Sequence, residues 1–183
     1  MMELHGCACC ADLLERRFDR RRFLMTGAAA GISAMLPTLA LAKSGKKTYE
    51  AMVLSCIDPR LQEPVRHYTR RRHLTGKVSQ FVIAGAAVGV VAEPFKDWHK
   101  AWWDTVTTSV QLHNIRRVIA IDHRDCGAAK IAYGEASVAN WKAETATHKA
   151  ALAAFRAQMK ERLPQLGVET GLMALNGRIE MFS

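Results

Sequence analysis

Five consecutive positions, AMVLS at 51–55, carry apolar or small side chains, and a short run of that kind predicts a strand buried on both faces. The stretch from Leu61 to Lys77 mixes polar and basic residues and predicts a short helix or loop. QFVIAGAAVGVV at 80–91 begins as a second strand, and its glycines mark a turn or a close backbone approach. From Asp97 to Asn114 apolar side chains recur at Trp98, Trp102, Val106 and Val110, with Thr105 and Ser109 between them, which is helical spacing with one buried face. RRVIAID at 116–122 is an apolar run bounded by charges, as expected of a strand covered on both sides. A second amphipathic helix is predicted from Val138 to Leu163, with Trp141, His148, Leu152, Phe155, Met159 and Leu163 on one side and Pro164 and Gly167 at its exit. In the tail, GLMALNGRIEMF, Asn176-Gly177 separates two short runs and signals a hairpin. Strands alternating with helices imply an α/β fold, a mostly parallel β-sheet flanked by helices with a C-terminal hairpin.

Composition changes this picture at the N-terminus. The chain has 183 residues and a net charge of +9, and Arg16, Arg17, Arg20, Arg21 and Arg22 crowd its start. Arg20-Arg21-Arg22-Phe23-Leu24 resembles a twin-arginine export signal, R-R-x-F-L, followed by the mild apolar stretch TGAAAGISAMLPTLALA. Ala40-Leu41-Ala42 offers a small-x-small cleavage site. The expectation is a cleaved signal over 1–42, a mature domain over 43–183, and a periplasmic location. That route meets the export machinery and the membrane only in transit. The alternative is an uncleaved anchor, and at 17 residues the apolar segment is at the short limit for spanning a bilayer. Cys7, Cys9 and Cys10 precede the signal and would leave with it. From Lys43 onward 21 Lys and Arg oppose 13 Asp and Glu. No aromatic–basic alternation or recognition helix accompanies that charge, so it reads as solvated basic faces and not as a nucleic-acid surface.

The mature chain keeps two cysteines, Cys56 and Cys126. In an oxidising compartment they could form one disulfide, or they could be simple core thiols. Their surroundings offer another reading. Ligands of open α/β sheets bind at the carboxyl ends of the strands. Cys56 closes the first strand in CIDPR, and His123 and Cys126 close the third in HRDCG, so segments 67 residues apart deliver Cys, His and Cys to one edge. Two thiolates and an imidazole suit zinc, and three protein ligands leave a fourth position open.

C-I-D-P-R at 56–60 and H-R-D-C-G at 123–127, in this order and each ending a strand, resemble the β-class carbonic anhydrases of the short, single-domain kind. The resemblance covers nearly all of residues 50–183. It implies that Cys56, His123 and Cys126 hold Zn²⁺ and that the activity is reversible hydration of CO₂ to bicarbonate. It implies that Asp58 accepts a hydrogen bond from the zinc-bound hydroxide and that Arg60 holds Asp58 off the metal. Gly127 and Ala128, opening a helix after Cys126, and Gly85 of the second strand are the corresponding candidates for anion or substrate contact. A homodimer is implied as well. Family members commonly carry Arg-Asn before the Ala-Gly of the second strand; here Val82-Ile83 precede Ala84-Gly85. An aliphatic wall would also suit a sister hydrolase acting on COS or CS₂, and a non-catalytic zinc protein is the third reading. His148 reads as a core or pocket histidine, His113 as packing or capping, and Trp98, Trp102 and Trp103 as core or subunit contacts.

Overall fold

The computed structural model describes residues 48–183, so the export signal and Cys7, Cys9 and Cys10 lie outside the described residues. Strand β1 (Ala51–Ser55) leads through helix α1 (Pro59–Arg71) to β2 (Val78–Val82). A turn and the short helix α2 (Ala87–Val91) precede α3 (Lys96–His113), and then β3 (Arg117–His123) follows. Helix α4 (Gly127–Tyr133) and the long α5 (Trp141–Arg162) lead to β4 (Gly167–Met173) and β5 (Ile179–Phe182). The sheet order is β2-β1-β3-β4-β5, parallel throughout except for the antiparallel β4–β5 pair. The chain therefore winds outward in one direction from β1 and in the other from β3. The adjacent carboxyl ends of those two strands form the crevice where such sheets bind ligands.

The elements follow from local chemistry. Asp58 caps α1 by accepting the Arg60 N–H at 2.9 Å, and Pro59, pre-set for a first helical position, follows it. From that cap a 13-residue helix runs over Pro59–Arg71, longer than its mixed polarity suggests, with Leu61, Val65, Tyr68 and Thr69 buried. Asn114 closes α3 in the left-handed conformation that asparagine tolerates. Asn140 caps α5 through the Ala143 N–H at 3.0 Å, so that helix starts at Trp141 and not at Val138.

β1 is wholly buried and β3 nearly so, as their apolar runs require. Against them pack Trp102 and Val106 of α3 and Leu152, Phe155 and Met159 of α5. The Trp102 ring lies 5.5 Å from both Phe81 and Phe155, centre to centre. Truncating Trp102 to alanine would cost about 3–5 kcal/mol by leaving a cavity at that junction.

One expectation needs correction. Trp98 and Trp141 do not join the buried faces: Trp98 stacks on Phe95 while 39% exposed, and Trp141 is 65% exposed over the Arg124 guanidinium. As the glycines at 80–91 suggest, the run begins as β2 and leaves the sheet after Val82, turning through Gly85 and Ala86, both at positive φ, into α2. The C-terminal hairpin is present: β4 and β5 pair antiparallel, and Asn176-Gly177 lies in the loop between them, where the Ala174 N–H donates to the Arg178 carbonyl at 2.7 Å and Gly177 takes positive φ.

Candidate metal centre

β1 and β3 run side by side in register, Ser55 beside Ile121, so the residues just beyond them emerge together. Cys56 follows β1, His123 ends β3, and Cys126 is the N-cap residue of α4. All three are buried, and their ligand atoms lie within 4.8 Å of one another. Both cysteines are free thiols, so the disulfide reading is not the one the structure takes.

The donor set fits a divalent cation on three counts. First, His123 Nδ1 sits 2.8 Å from the Arg124 carbonyl. A carbonyl only accepts, so Nδ1 carries the proton and Nε2 keeps its lone pair. Second, that Nε2 is buried without a hydrogen-bond partner. Buried polar atoms are nearly always paired, and an unpaired one marks an absent partner. Third, the sulfurs crowd charge. Hydrogen bonding from Cys126 lowers the Cys56 pKa to about 4 despite burial, with further help from His123 and from the backbone N–H groups of Asp58 and Gly85. The same contact with Cys56, together with burial, raises the Cys126 thiol. Two sulfurs thus share one proton where a cation would satisfy both. Burial works against a charged His123, but the neighbouring Cys56 sulfur offsets this and the net shift is upward.

Asp58 and Arg60 meet at the rim as the motif suggests. Arg60 Nε donates to Asp58 Oδ1 at 3.0 Å and Nη2 to Oδ2 at 2.7 Å, a two-pronged, charge-assisted pairing. The guanidinium holds the Asp58 carboxyl down at about 2, so it stays ionised and acts as an acceptor. Arg60 also reaches the next segment, donating from Nη1 to Asp125 Oδ2 at 2.8 Å and from Nη2 to the Asp125 carbonyl at 3.2 Å. This Arg60 contact pulls the Asp125 carboxyl below its ordinary value. Asp125 takes a left-handed φ of 57°, which aspartate tolerates better than most residues.

The loop that carries Cys126 is clamped by α5. The Arg124 guanidinium donates to Glu144 Oε2 at 3.0 Å and to Thr145 Oγ1 at 2.8 Å, and the Asp125 N–H donates to Glu144 Oε1 at 2.5 Å. Sequence reasoning missed Asp125, Arg124 and Glu144. The first two lie inside HRDCG and could have been flagged there; Glu144 gives no signal, being one glutamate among the charges of a long helix. Gly85 lies near the cluster but donates its N–H to Cys56 Sγ at 3.2 Å, so that group is engaged by a sulfur and not held out toward an anion. Gly127 and Ala128 open α4 as expected, and an added Cβ at Gly127 would meet nothing within 4 Å. His148 is the buried histidine the helix pattern suggests. His113 ends α3, with Nδ1 2.6 Å from Ser79 Oγ and its ring against Tyr49.

Residues 46–158 match the protein family described as "Putative carbonic anhydrase". An uncharacterized protein of Rickettsia conorii is 34% identical over 129 residues, covering 70% of this chain and 69% of that one. An uncharacterized protein of Rickettsia bellii is 35% identical over 129 residues, 70% of this chain and 79% of that one. Among solved structures, the β-carbonic anhydrase CafA of Aspergillus fumigatus superposes with a TM-score of 0.51 at 18% identity, over 81% of this chain and 80% of that one. The Coccomyxa β-carbonic anhydrase in complex with acetazolamide gives 0.51 at 16% identity, over 76% and 74%. These two likenesses establish the fold.

Proposed function

The chain belongs to the family described as "Putative carbonic anhydrase", and from that premise we propose that it is a zinc enzyme of the β type which interconverts CO₂ and bicarbonate. The observation that carries this reading is the buried trio Cys56, His123 and Cys126, with an imidazole nitrogen that has no partner among the described residues. The two thiolates and His123 Nε2 would hold the ion. Bound there, zinc would supply a Lewis acid that brings the pKa of a water ligand to about 7.

The chain's own residues divide the remaining work. The His123 Nδ1–H is anchored on the Arg124 carbonyl, which fixes the ring and aims Nε2. The Gly85 N–H takes part of the negative charge on Cys56. Asp58, ionised and locked by Arg60, offers carboxylate lone pairs that orient a proton donor beside the substrate. Because Arg60 also grips Asp125, the loop from His123 to Cys126 is tied to the CIDPR turn. Gly127, exposed at the start of α4, is the candidate contact for the anionic product. The balanced reaction consumes CO₂ and water and yields bicarbonate and a proton.

A second reading is favoured by the rim. Ile57 beyond β1 and Val82 at the end of β2 are 58% and 43% exposed, an apolar border suited to COS or CS₂. Stopped-flow CO₂ hydration by the zinc-loaded protein, compared with Cys126→Ser, tests the first reading. Sulfide release from COS identifies the second. If neither rate exceeds the control, the protein binds zinc without turnover.

Assembly and location belong to the same proposal. Ile57, Ile131 and Trp141 present apolar surface suited to a homodimer, which sedimentation would detect. Export rests on Arg20 and Arg21 ahead of the apolar stretch. Replacing both with lysine should keep the protein out of the periplasm; unchanged fractionation would refute the signal.

A further inference from the structure

The turn between β2 and α2 passes through Gly85 at φ +80° and Ala86 at φ +49°. An alanine with positive φ is strained, and such a conformation persists only where its neighbours impose it. One side of the turn is pinned at the metal cluster, by the Gly85 N–H on Cys56 Sγ at 3.2 Å. The other side is pinned two residues on, where the Ala87 N–H donates to Asp122 Oδ1 at 2.9 Å. The second oxygen of that carboxylate, Oδ2, lies 2.8 Å from Nδ1 of His148 on α5. Asp122 and His148 are buried to within 1% of completely, and neither has a part in the chemistry described above.

We propose that Asp122 and His148 form a positioning pair for the metal centre: they hold the Gly85–Ala87 turn so that the Gly85 N–H stays on the Cys56 sulfur. This rests on the zinc reading. A buried carboxylate away from water needs a donor for each oxygen, and here each has one, from two different elements. Asp122 can only bridge them if His148 donates through Nδ1–H. Nε2 of His148 is buried with no partner among the described residues, so the ring acts through Nδ1. Asp122 directly precedes the ligand His123, so the same carboxylate also anchors the end of β3. Partners behind the ligands orient them and tune the sulfur's charge, and losing one typically weakens metal binding.

The test uses the full chain with His148→Phe, which removes the donor, and His148→Asn, which returns an amide N–H close to the place of Nδ1. Three quantities are read: zinc affinity by chelator competition, the sulfur-to-cobalt charge-transfer band of the Co²⁺-loaded protein, and hydrogen exchange of the Gly85 amide in metal-free protein. His148→Phe is expected to weaken zinc binding about 10- to 100-fold, move the cobalt band and speed Gly85 exchange, while His148→Asn recovers all three toward wild type. Unchanged affinity, band and exchange in His148→Phe would overturn the proposal. So would equal losses in both variants, because those would reflect packing alone. Should His148→Phe fail to fold, Asp122→Asn decides: its amide can accept from Ala87 or from His148 but cannot accept from both through two oxygens, so the same three changes are expected. If wild-type protein binds neither zinc nor cobalt, the proposed function fails, and Gly85 exchange in the metal-free variants still decides the positioning claim.

Discussion

The two ends of the sheet gather polar groups in opposite ways. Near the amino ends of β3 and β4, Arg72, the C-cap residue of α1, and Arg117 of β3 converge on Glu169 of β4, Arg117 at 3.0 Å, with Glu50 3.8 Å from Arg117. Cations and anions there neutralise one another, and the cluster is complete apart from one buried N–H, Arg117 Nε. At the carboxyl ends, Cys56, Cys126 and His123 are all electron-pair donors, and the Gly85 N–H on Cys56 Sγ offsets only part of their charge. A cluster of opposite charges is a fastening. A buried cluster of like donors is the arrangement a divalent cation would satisfy.

The contrast can be broken most severely at the donor cluster. Cys126→Ser should abolish stoichiometric zinc, seen by metal analysis, and reduce CO₂ hydration to background. Retained zinc would mean that the ion sits elsewhere. The next largest effect is expected at the rim. Arg60→Gln frees Asp58 and Asp125 together, and activity should drop about 10- to 100-fold while zinc content stays at wild-type level. Loss of zinc in that variant would make Arg60 a structural support of the ligands.

At the opposite end, Glu169→Gln should leave zinc and turnover untouched. It should lower stability by about 1–2 kcal/mol, since the carboxylate is partly exposed and its pairs are screened. Burial pushes the Glu169 carboxyl up, but Arg72 and then Arg117 more than reverse this, and its folded-state pKa lies below the ordinary value. Its contribution to stability is thus fully present above the unfolded pKa and disappears as pH falls through the folded one. Wild-type Tm should decline more steeply than that of Glu169→Gln as the medium is acidified through the carboxylate range; parallel declines would refute the linkage. The smallest effect belongs to the exposed Lys100–Asp104 pair on α3, where Lys100→Ala should change stability by no more than about 0.5 kcal/mol.

What the sequence made legible has the same division. β1 and β3 were readable because strands covered on both faces need unbroken apolar runs, and Cys56, His123 and Cys126 were readable because they end those strands. The Asp58–Arg60 pairing was implied by the resemblance that C-I-D-P-R carries, and the two residues stand two positions apart at a helix start. The short helix α2 was hidden, since Ala and Gly after Ile83 suit a strand, a turn or a helix equally. Trp141 was misplaced because periodicity counts apolar residues without seeing that Arg124 needs a ring to lie under. Asp125, Glu144 and the Asp122–His148 contact depend on chain segments 20 or more residues apart meeting in space, or on a guanidinium reaching across a loop, and no local pattern encodes that.

Zinc-edge X-ray absorption on the purified full-length protein tests the central claim most directly. The expected spectrum has two sulfur neighbours at about 2.3 Å and a nitrogen at about 2.0–2.1 Å, plus one light exchangeable neighbour. A protein that takes up no zinc, a first shell without sulfur, or Cys56 and Cys126 found joined as a disulfide would contradict it.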